Sequence, residues 1–362
     1  MQDPAIRESE LSFHLIYMPN TVRYLYPFVA SLLRYSDSRF VLVSNNCSRE
    51  EKNFISRECR NNSRLEFVDL PTKEVSWAHG RCLNYLYEKS DSDYFCFIDS
   101  DIFATGRFLP QFLPKLGTHA CVSSCSSLWA TEEDGKTSPF VKQLSGRHNQ
   151  TPEGQCLATS YFAMYKRSSL EACRHLCSVD FRRVSWSDFP QSMHAAAEKN
   201  KLRKNKYDTA KMLNLALIFQ GFSLFHEEAD NLVHLGSISA VKRKEALVKN
   251  SWRAKLAAYL PGRKQQFKLL RRAIELDRSA KAKALFAPAV PQSVRDHELD
   301  RLTRRLLTGQ YFMELLTALI DDKPLPAVPF MDDQLIQNRL HFATAQLEKF
   351  KNSWREGARE LP

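Results

Sequence analysis

The segment Phe95-Cys96-Phe97-Ile98-Asp99-Ser100-Asp101 places two carboxylates two residues apart at the end of an apolar run. Side chains two apart on an extended chain share one face. Asp99 and Asp101 can therefore meet one hard divalent cation, Mn2+ or Mg2+, directly or through water, and an ion held there would neutralise a diphosphate. An Asp-x-Asp pair also caps turns after strands, so its chemistry has to be judged from its surroundings. Two further clusters have ligand-like spacing: Cys121-x3-Cys125, and Cys173-x3-Cys177 with His175 between the latter pair. The strand-like character of the first pair and its lack of neighbouring turn glycines favour buried thiols over zinc.

The elements before Asp99 alternate in type. Apolar strands are expected at Ser12 to Met18, Arg39 to Ser44, Leu65 to Leu70 and Tyr94 to Ile98, with helices at Val22 to Tyr35, Glu50 to Arg60 and Gly80 to Lys89. Strands apolar on both faces and separated by helices imply a mostly parallel sheet flanked by helices, an α/β domain of Rossmann-like layering. The Asp-x-Asp pair then lies at the carboxyl edge of the sheet, where open α/β sheets bind ligands. Beyond Asp101 the pattern predicts a helix at Phe108 to Leu116, strands at Ala120 to Ser124 and Leu157 to Tyr165, and a turn-rich loop between Leu128 and Gln155. A helix at Thr209 to Gln220 and closing strands at Phe222 to Phe225 and Asn231 to Leu235 complete the domain. Past Ala240 the signal is helical, at Glu245 to Leu260, Lys264 to Ala287, Val294 to Ile320 and Asp333 to Trp354. Two parts are expected, a catalytic domain over residues 1–240 and a helical C-terminal region over 241–362.

The 362 residues carry a formal net charge of +11, and its location is informative. Between Val241 and Lys283 stand 14 Lys and Arg against three acids, so the rest of the chain is neutral. Val248, Trp252, Leu256 and Tyr259 recur there at helical spacing among the bases, a pattern suited to an anionic membrane surface and equally to packing on the catalytic domain with the bases in water. Residues 1–10 hold no apolar signal-like run and no stretch is long and apolar enough to span a bilayer. Nine cysteines in apolar contexts read as reduced thiols. The expected location is the cytoplasm, with a peripheral position at the inner membrane face if the basic segment binds lipid.

The surroundings of Asp99 and Asp101 resemble the GT-A glycosyltransferases, in particular the family 2-like group. The likeness runs over about residues 11 to 240: a loop after the first strand (Tyr17-Met18-Pro19-Asn20), a polar patch after the second (Ser44-Asn45-Asn46), a helix His79-Gly80-Arg81-Cys82-Leu83-Asn84 before the Asp-x-Asp strand, and a later His in Val233-His234-Leu235-Gly236-Ser237. The resemblance implies a GT-A fold and transfer of a sugar from a nucleotide-sugar donor to a glycan or lipid-linked acceptor, by inversion. It implies that Asp101, Asp99 and His234 hold Mn2+ or Mg2+, Asp99 reaching the ribose or a metal water, and that Pro19, Asn20, Asn45, Arg81 and Asn84 bind the donor. It further implies a carboxylate base near a helix start, Asp208 ahead of Asp188. A UDP-sugar is favoured over other donors, although Asn45 and Asn46 stand where many members have an Asp against uracil, and the usual Ala-Arg-Asn run is absent.

Two other readings compete. Haloacid-dehalogenase-like phosphatases also place Asp-x-Asp after a strand, but on the first strand and with Thr or Val where this chain has Phe103. A non-enzymatic polyanion or membrane-surface binder would account for residues 241–283 but leaves Asp99, Asp101 and His234 without a role. Nucleic acid is not an expected partner.

Overall fold

The structure, a computed structural model, describes residues 6–73, 75–135, 143–144, 150–151, 154–199, 206–239 and 291–351. The basic segment 241–283 and the two helices expected between 245 and 287 lie outside the described residues. Along the chain the elements are β1 (Ser12–Tyr17), α1 (Val22–Tyr35), β2 (Arg39–Ser44), α2 (Arg49–Asn61), β3 (Leu65–Asp69), α3 (His79–Lys89), β4 (Tyr94–Ile98) and β5 (Ile102–Ala104). They continue with α4 (Leu113–Thr118), β6 (Cys121–Ser124), α5 (Glu132–Gly135), β7 (Gln143–Leu144), β8 (Phe162–Lys166), α6 (Arg167–Cys177), β9 (Val184–Ser185), α7 (Gln191–Lys199) and β10 (Lys206–Tyr207). Last come α8 (Lys211–Phe219), β11 (Leu224–His226), β12 (Leu232–His234), α9 (Gln292–Asp321) and α10 (Gln334–Lys349).

The main sheet has the order β11-β6-β8-β4-β1-β2-β3. The pairs β1–β2, β1–β4, β2–β3 and β6–β11 are parallel, whereas β8 runs antiparallel to both β4 and β6. Six strands thus end at one edge, and the reversed β8 begins there. Alternation along each strand divides the core into two layers. Phe13, Leu15, Leu42, Cys96, Ile98, Phe162 and Met164 point to one face, where α1 and residues of α9 and α10 such as Phe312, Leu316, Ile336 and Leu340 join the same buried cluster. Val41, Val43, Phe95, Phe97 and Tyr165 point to the other, against Leu83 of α3, Cys173 of α6 and Leu213 of α8. The C-terminal helices therefore share a core with the sheet.

Several segments differ from the sequence pattern, which also missed the helix Gln191–Lys199 and the short strand Ile102–Ala104. The helix expected from Phe108 starts only at Leu113, with Pro114 in its first turn, where the missing N–H of proline is tolerated. The strand expected from Leu157 starts at Phe162, because the backbone before it is satisfied by side chains: the Ala158 carbonyl accepts from Lys211 Nζ (2.7 Å) and Asn214 Nδ2 (2.9 Å). Residues Arg167–Cys177 form a helix that the sequence pattern missed, its buried face being Leu170, Cys173 and Cys177 at helical spacing. The four cysteines weighed for zinc are all buried and unpaired.

Candidate active site

The edge where the parallel strands end gathers most of the residues singled out by the sequence. β1 delivers Pro19 and Asn20, β2 delivers Asn45, and β4 delivers Asp99. β12 pairs antiparallel with β5, the short strand that follows Asp101, so that His234 lies opposite Ile102. This ribbon carries His234 back to the Asp-x-Asp pair across 132 intervening residues of chain. His234 Nε2 stands 3.3 Å from Asp101 Oδ1 and 3.7 Å from Asp99 Oδ2. One ligand atom from each of the three residues lies within 4.8 Å of the others, the metal-capable group among the described residues.

Backbone and second-layer contacts hold this cluster in place. The Asp99 N–H donates to the Tyr161 carbonyl at 2.7 Å, the Leu235 N–H to the Asp101 carbonyl at 3.1 Å, and the Ser237 N–H to Asp101 Oδ2 at 3.2 Å. Ser127 Oγ sits 3.5 Å from His234 Nδ1, leaving Nε2 turned to the carboxylates, as expected of a histidine oriented for ligation. The Tyr161 ring packs 4.5 Å from the His234 ring, centroid to centroid. Gly236 is required here: its φ is +56°, and a Cβ would lie 2.3 Å from Ser127 Oγ, while its carbonyl accepts from Trp129 Nε1.

The three groups shift one another's charge. Burial acts to raise the Asp101 carboxyl, but the His234 imidazole and the Ser237 N–H outweigh it and hold the group below the ordinary carboxylate range. Burial likewise opposes charge on His234, and the Asp101 carboxylate outweighs it, raising the imidazole above its ordinary value. Asp99, with 29% of its side chain exposed, is pushed up to about 8 by removal from water and then by the neighbouring Asp101 charge. Two carboxylates this close resist ionising together. A divalent cation between them favours both carboxylates and a neutral imidazole, and two oxygens with one nitrogen form a donor set suited to Mn2+ or Mg2+. The residues present fit such an ion.

The remaining candidates divide by their contacts. Asn20 has φ +62°, a conformation asparagine tolerates, and its N–H donates to Glu51 Oε2 at 3.2 Å. Glu51 also caps α2 through Ser48 and accepts from the Val22 N–H, so one carboxylate ties the loop after β1 to the second helix. Asn45 is buried; its Oδ1 accepts from the Trp77 N–H at 2.7 Å and its Nδ2 donates to the Trp77 carbonyl at 2.9 Å. Asn84 Oδ1 accepts from the Phe181 N–H at 3.0 Å. Both amides therefore brace neighbouring loops. Arg81 is exposed, its guanidinium stacked 3.9 Å over the Trp77 ring. Asp188 is exposed in a single 3-10 turn at Trp186–Asp188. Asp208 is half-buried ahead of α8, with Oδ1 accepting from the Thr209 N–H at 3.0 Å. It neighbours His79: burial lowers that imidazole to about 4, against a pull upward by the Asp208 carboxylate.

Sequence reasoning missed Glu51, Ser127, Trp129, Tyr161 and Ser237. The spacing Ser48-x-x-Glu51 is a legible capping box, whereas nothing local in sequence marks the other four, whose roles arise from contacts across more than sixty positions.

Residues 16–174 match the family model described as glycosyl transferase family 2. No curated protein matches the chain. Solved structures that the chain matches include the mannosyltransferase PcManGT from Pyrobaculum calidifontis in complex with GDP-Man and Mn2+, 13% identical over 86% of this chain and 89% of that one, with a TM-score of 0.38. Residues 1–349 of S. aureus TarS are 12% identical over 96% of this chain and 90% of that one, with a TM-score of 0.39. The galactosyltransferase LgtC, in complex with donor and acceptor sugar analogs, is 12% identical over 60% and 73%, with a TM-score of 0.36. Likeness at this level carries no inference about substrate. The family match runs from the end of β1 into α6 and includes Asp99 and Asp101, and with it the phosphatase and non-enzymatic readings fall away: residues 16–174 match a glycosyl transferase family 2 domain, which supports a glycosyltransferase enzyme built on a mostly parallel sheet flanked by helices.

Proposed function

We propose that this glycosyltransferase depends on a divalent metal and moves a sugar from a nucleotide-sugar donor to a hydroxyl of a glycan or lipid-linked acceptor, with inversion at the anomeric carbon. The observation that carries the reading is the convergence of Asp99, Asp101 and His234 at the edge where β1, β2 and β4 end. These three side chains would hold Mn2+ or Mg2+, and the bound ion supplies positive charge against the departing nucleoside diphosphate. Pro19, Asn20 and Asn45 line the ends of the two neighbouring strands, where a nucleoside would lie, and the exposed Arg81 offers a fixed positive charge.

Inversion requires a base that takes the acceptor proton as its oxygen attacks from the side opposite the diphosphate. Asp208 is the base in this account. It lies beside His79, whose ring packs at 6.1 Å on Phe97 of β4, two residues before Asp99. Asp188, exposed and on a separate turn, is the alternative.

Nucleoside diphosphate release from UDP-, GDP- and CMP-linked sugars with Mn2+ tests the reading; for the CMP-sugar the product read is CMP. A UDP-sugar is the expected donor, turnover of another donor revises the base assignment, and no turnover or binding of any donor contradicts the function.

No helix among the described residues is long and apolar enough to cross a membrane. The proposed place of action is the cytoplasm, at the inner membrane face for a lipid-linked acceptor, with the basic segment 241–283 on anionic lipid. Co-sedimentation with anionic vesicles is then expected at low salt and lost at high salt; no binding at low salt removes the membrane role.

A further inference from the structure

The contacts of α9 reach the proposed metal site through two routes. Arg304 is buried, with 7% of its side chain exposed. Its Nε donates to Asp300 Oδ2 at 2.8 Å, Nη1 to the Trp129 carbonyl at 2.8 Å and Nη2 to Asp134 Oδ2 at 3.2 Å. The same Asp134 oxygen accepts from the N–H and the hydroxyl of Thr131, so Arg304 grips the 129–134 segment at both ends. Trp129 passes that grip onward by donating its indole N–H to the Gly236 carbonyl. In the second route, Ser237 Oγ donates to the Arg305 carbonyl at 3.2 Å while the Ser237 N–H donates to Asp101 Oδ2 at 3.2 Å. The Arg305 guanidinium also lies 5.6 Å from the Trp129 ring centre.

Both routes end on the turn just after His234, at Gly236 and at Ser237, whose N–H bonds Asp101. Gly236 takes its φ of +56° readily, but Ser237, with φ +144°, is in a backbone state that surrounding contacts must enforce in a serine. The planar guanidinium of Arg304 is suited to such a task because its nitrogens meet three acceptors in a fixed geometry, which a lysine cannot do.

We infer that Arg304 and the Arg305 carbonyl of α9 are positioning groups for the metal site, holding Trp129 and the Gly236–Ser237 turn so that Asp101 and His234 share one cation, and that metal binding and docking of α9 are thereby coupled. This rests on the metal reading of Asp99, Asp101 and His234. Coupling is reciprocal: loss of the α9 contacts weakens metal binding, and metal binding steadies α9.

The test uses the full chain and Mn2+ alone. Calorimetric titration gives the Mn2+ affinity of the wild type, Arg304→Met, Arg304→Lys and Ser237→Ala, and hydrogen exchange follows residues 301–308 with and without Mn2+. Removing a group that orients a metal ligand typically costs roughly 10- to 100-fold in affinity, and that loss is expected for Arg304→Met. Arg304→Lys retains the charge and not the fork, so it too is expected to lose affinity; a purely electrostatic role would leave it like wild type. Ser237→Ala, which spares the buried arginine and serves if Arg304→Met does not fold, is expected to weaken Mn2+ by roughly 2- to 10-fold, the worth of one hydrogen bond. Mn2+ is expected to slow exchange at 301–308 in wild type and not in Asp101→Asn. Wild-type binding with unchanged affinity in Arg304→Lys and Ser237→Ala, or exchange indifferent to Mn2+, overturns the coupling while leaving the metal site intact. A wild type that binds no Mn2+ overturns both.

Discussion

Replacing Asp101 by Asn is expected to lower sugar transfer by about 1,000-fold or more, the scale of losing charge stabilisation on a leaving group. The substitution keeps the size of the side chain and removes its charge. Asp101 is the carboxylate most firmly committed to the site: it is 7% exposed, lies 3.3 Å from His234 Nε2 and is fixed by the Ser237 N–H. Without its charge the set of oxygen donors loses its inner member, and the Asp99 carboxyl loses the neighbour that helps hold it protonated. Asp99→Asn is expected to cost less, because Asp99 is more open to water and stands farther from His234. Steady-state transfer rates of purified variants at saturating Mn2+ check both; an Asp101→Asn enzyme with wild-type turnover would remove the metal from the mechanism.

The second large effect is expected at Asp208. A general base contributes typically about 100- to 10,000-fold, so Asp208→Asn should lower kcat by that order while donor binding and Mn2+ affinity stay at wild-type values, the signature of an interaction made in the transition state alone. The site's layout supports this separation. Asp208 belongs to the segment between β10 and α8 and neighbours His79, whereas His234 ends β12. Donor hydrolysis by water needs no acceptor proton transfer to the same degree and is expected to persist. Asp188→Asn, on the exposed turn before α7, is expected to transfer normally. If the large loss in kcat appears in Asp188→Asn and not in Asp208→Asn, the base assignment moves to Asp188.

Much of this arrangement is legible in the chain itself. The alternation of wholly apolar strands with amphipathic helices from Ser12 to Ile98 fixes a parallel sheet, and the run into Asp99 and Asp101 marks its functional edge. Local patterns succeed there because each strand is buried on both faces, so composition and length leave little choice. They fail where tertiary contacts replace local ones. The backbone at Ala158 is satisfied by Lys211 and Asn214 from fifty positions away, and the reversal of β8 depends on its two neighbours. The site shows the same division. Asp99 and Asp101 are apparent from their spacing and His234 from resemblance, but the contacts that hold them come from Ser127, Tyr161, Ser237 and, through Trp129, Arg304. None of those residues carries a pattern of its own, since a lone serine or arginine gains its role only from the chain brought against it. Asn45 and Asn84 show the complementary case: polar residues expected from resemblance to bind the donor, with amides engaged on the backbone of Trp77 and Phe181.

The central claim is that Asp99, Asp101 and His234 form one divalent-metal site. Titration of the full chain with Mn2+, followed by electron paramagnetic resonance of the free ion, measures it directly. The expected result is one Mn2+ bound per chain in the wild type and none in Asp101→Asn at the same concentrations. Absence of Mn2+ binding by the wild type, or equal binding by Asp101→Asn, would contradict the account.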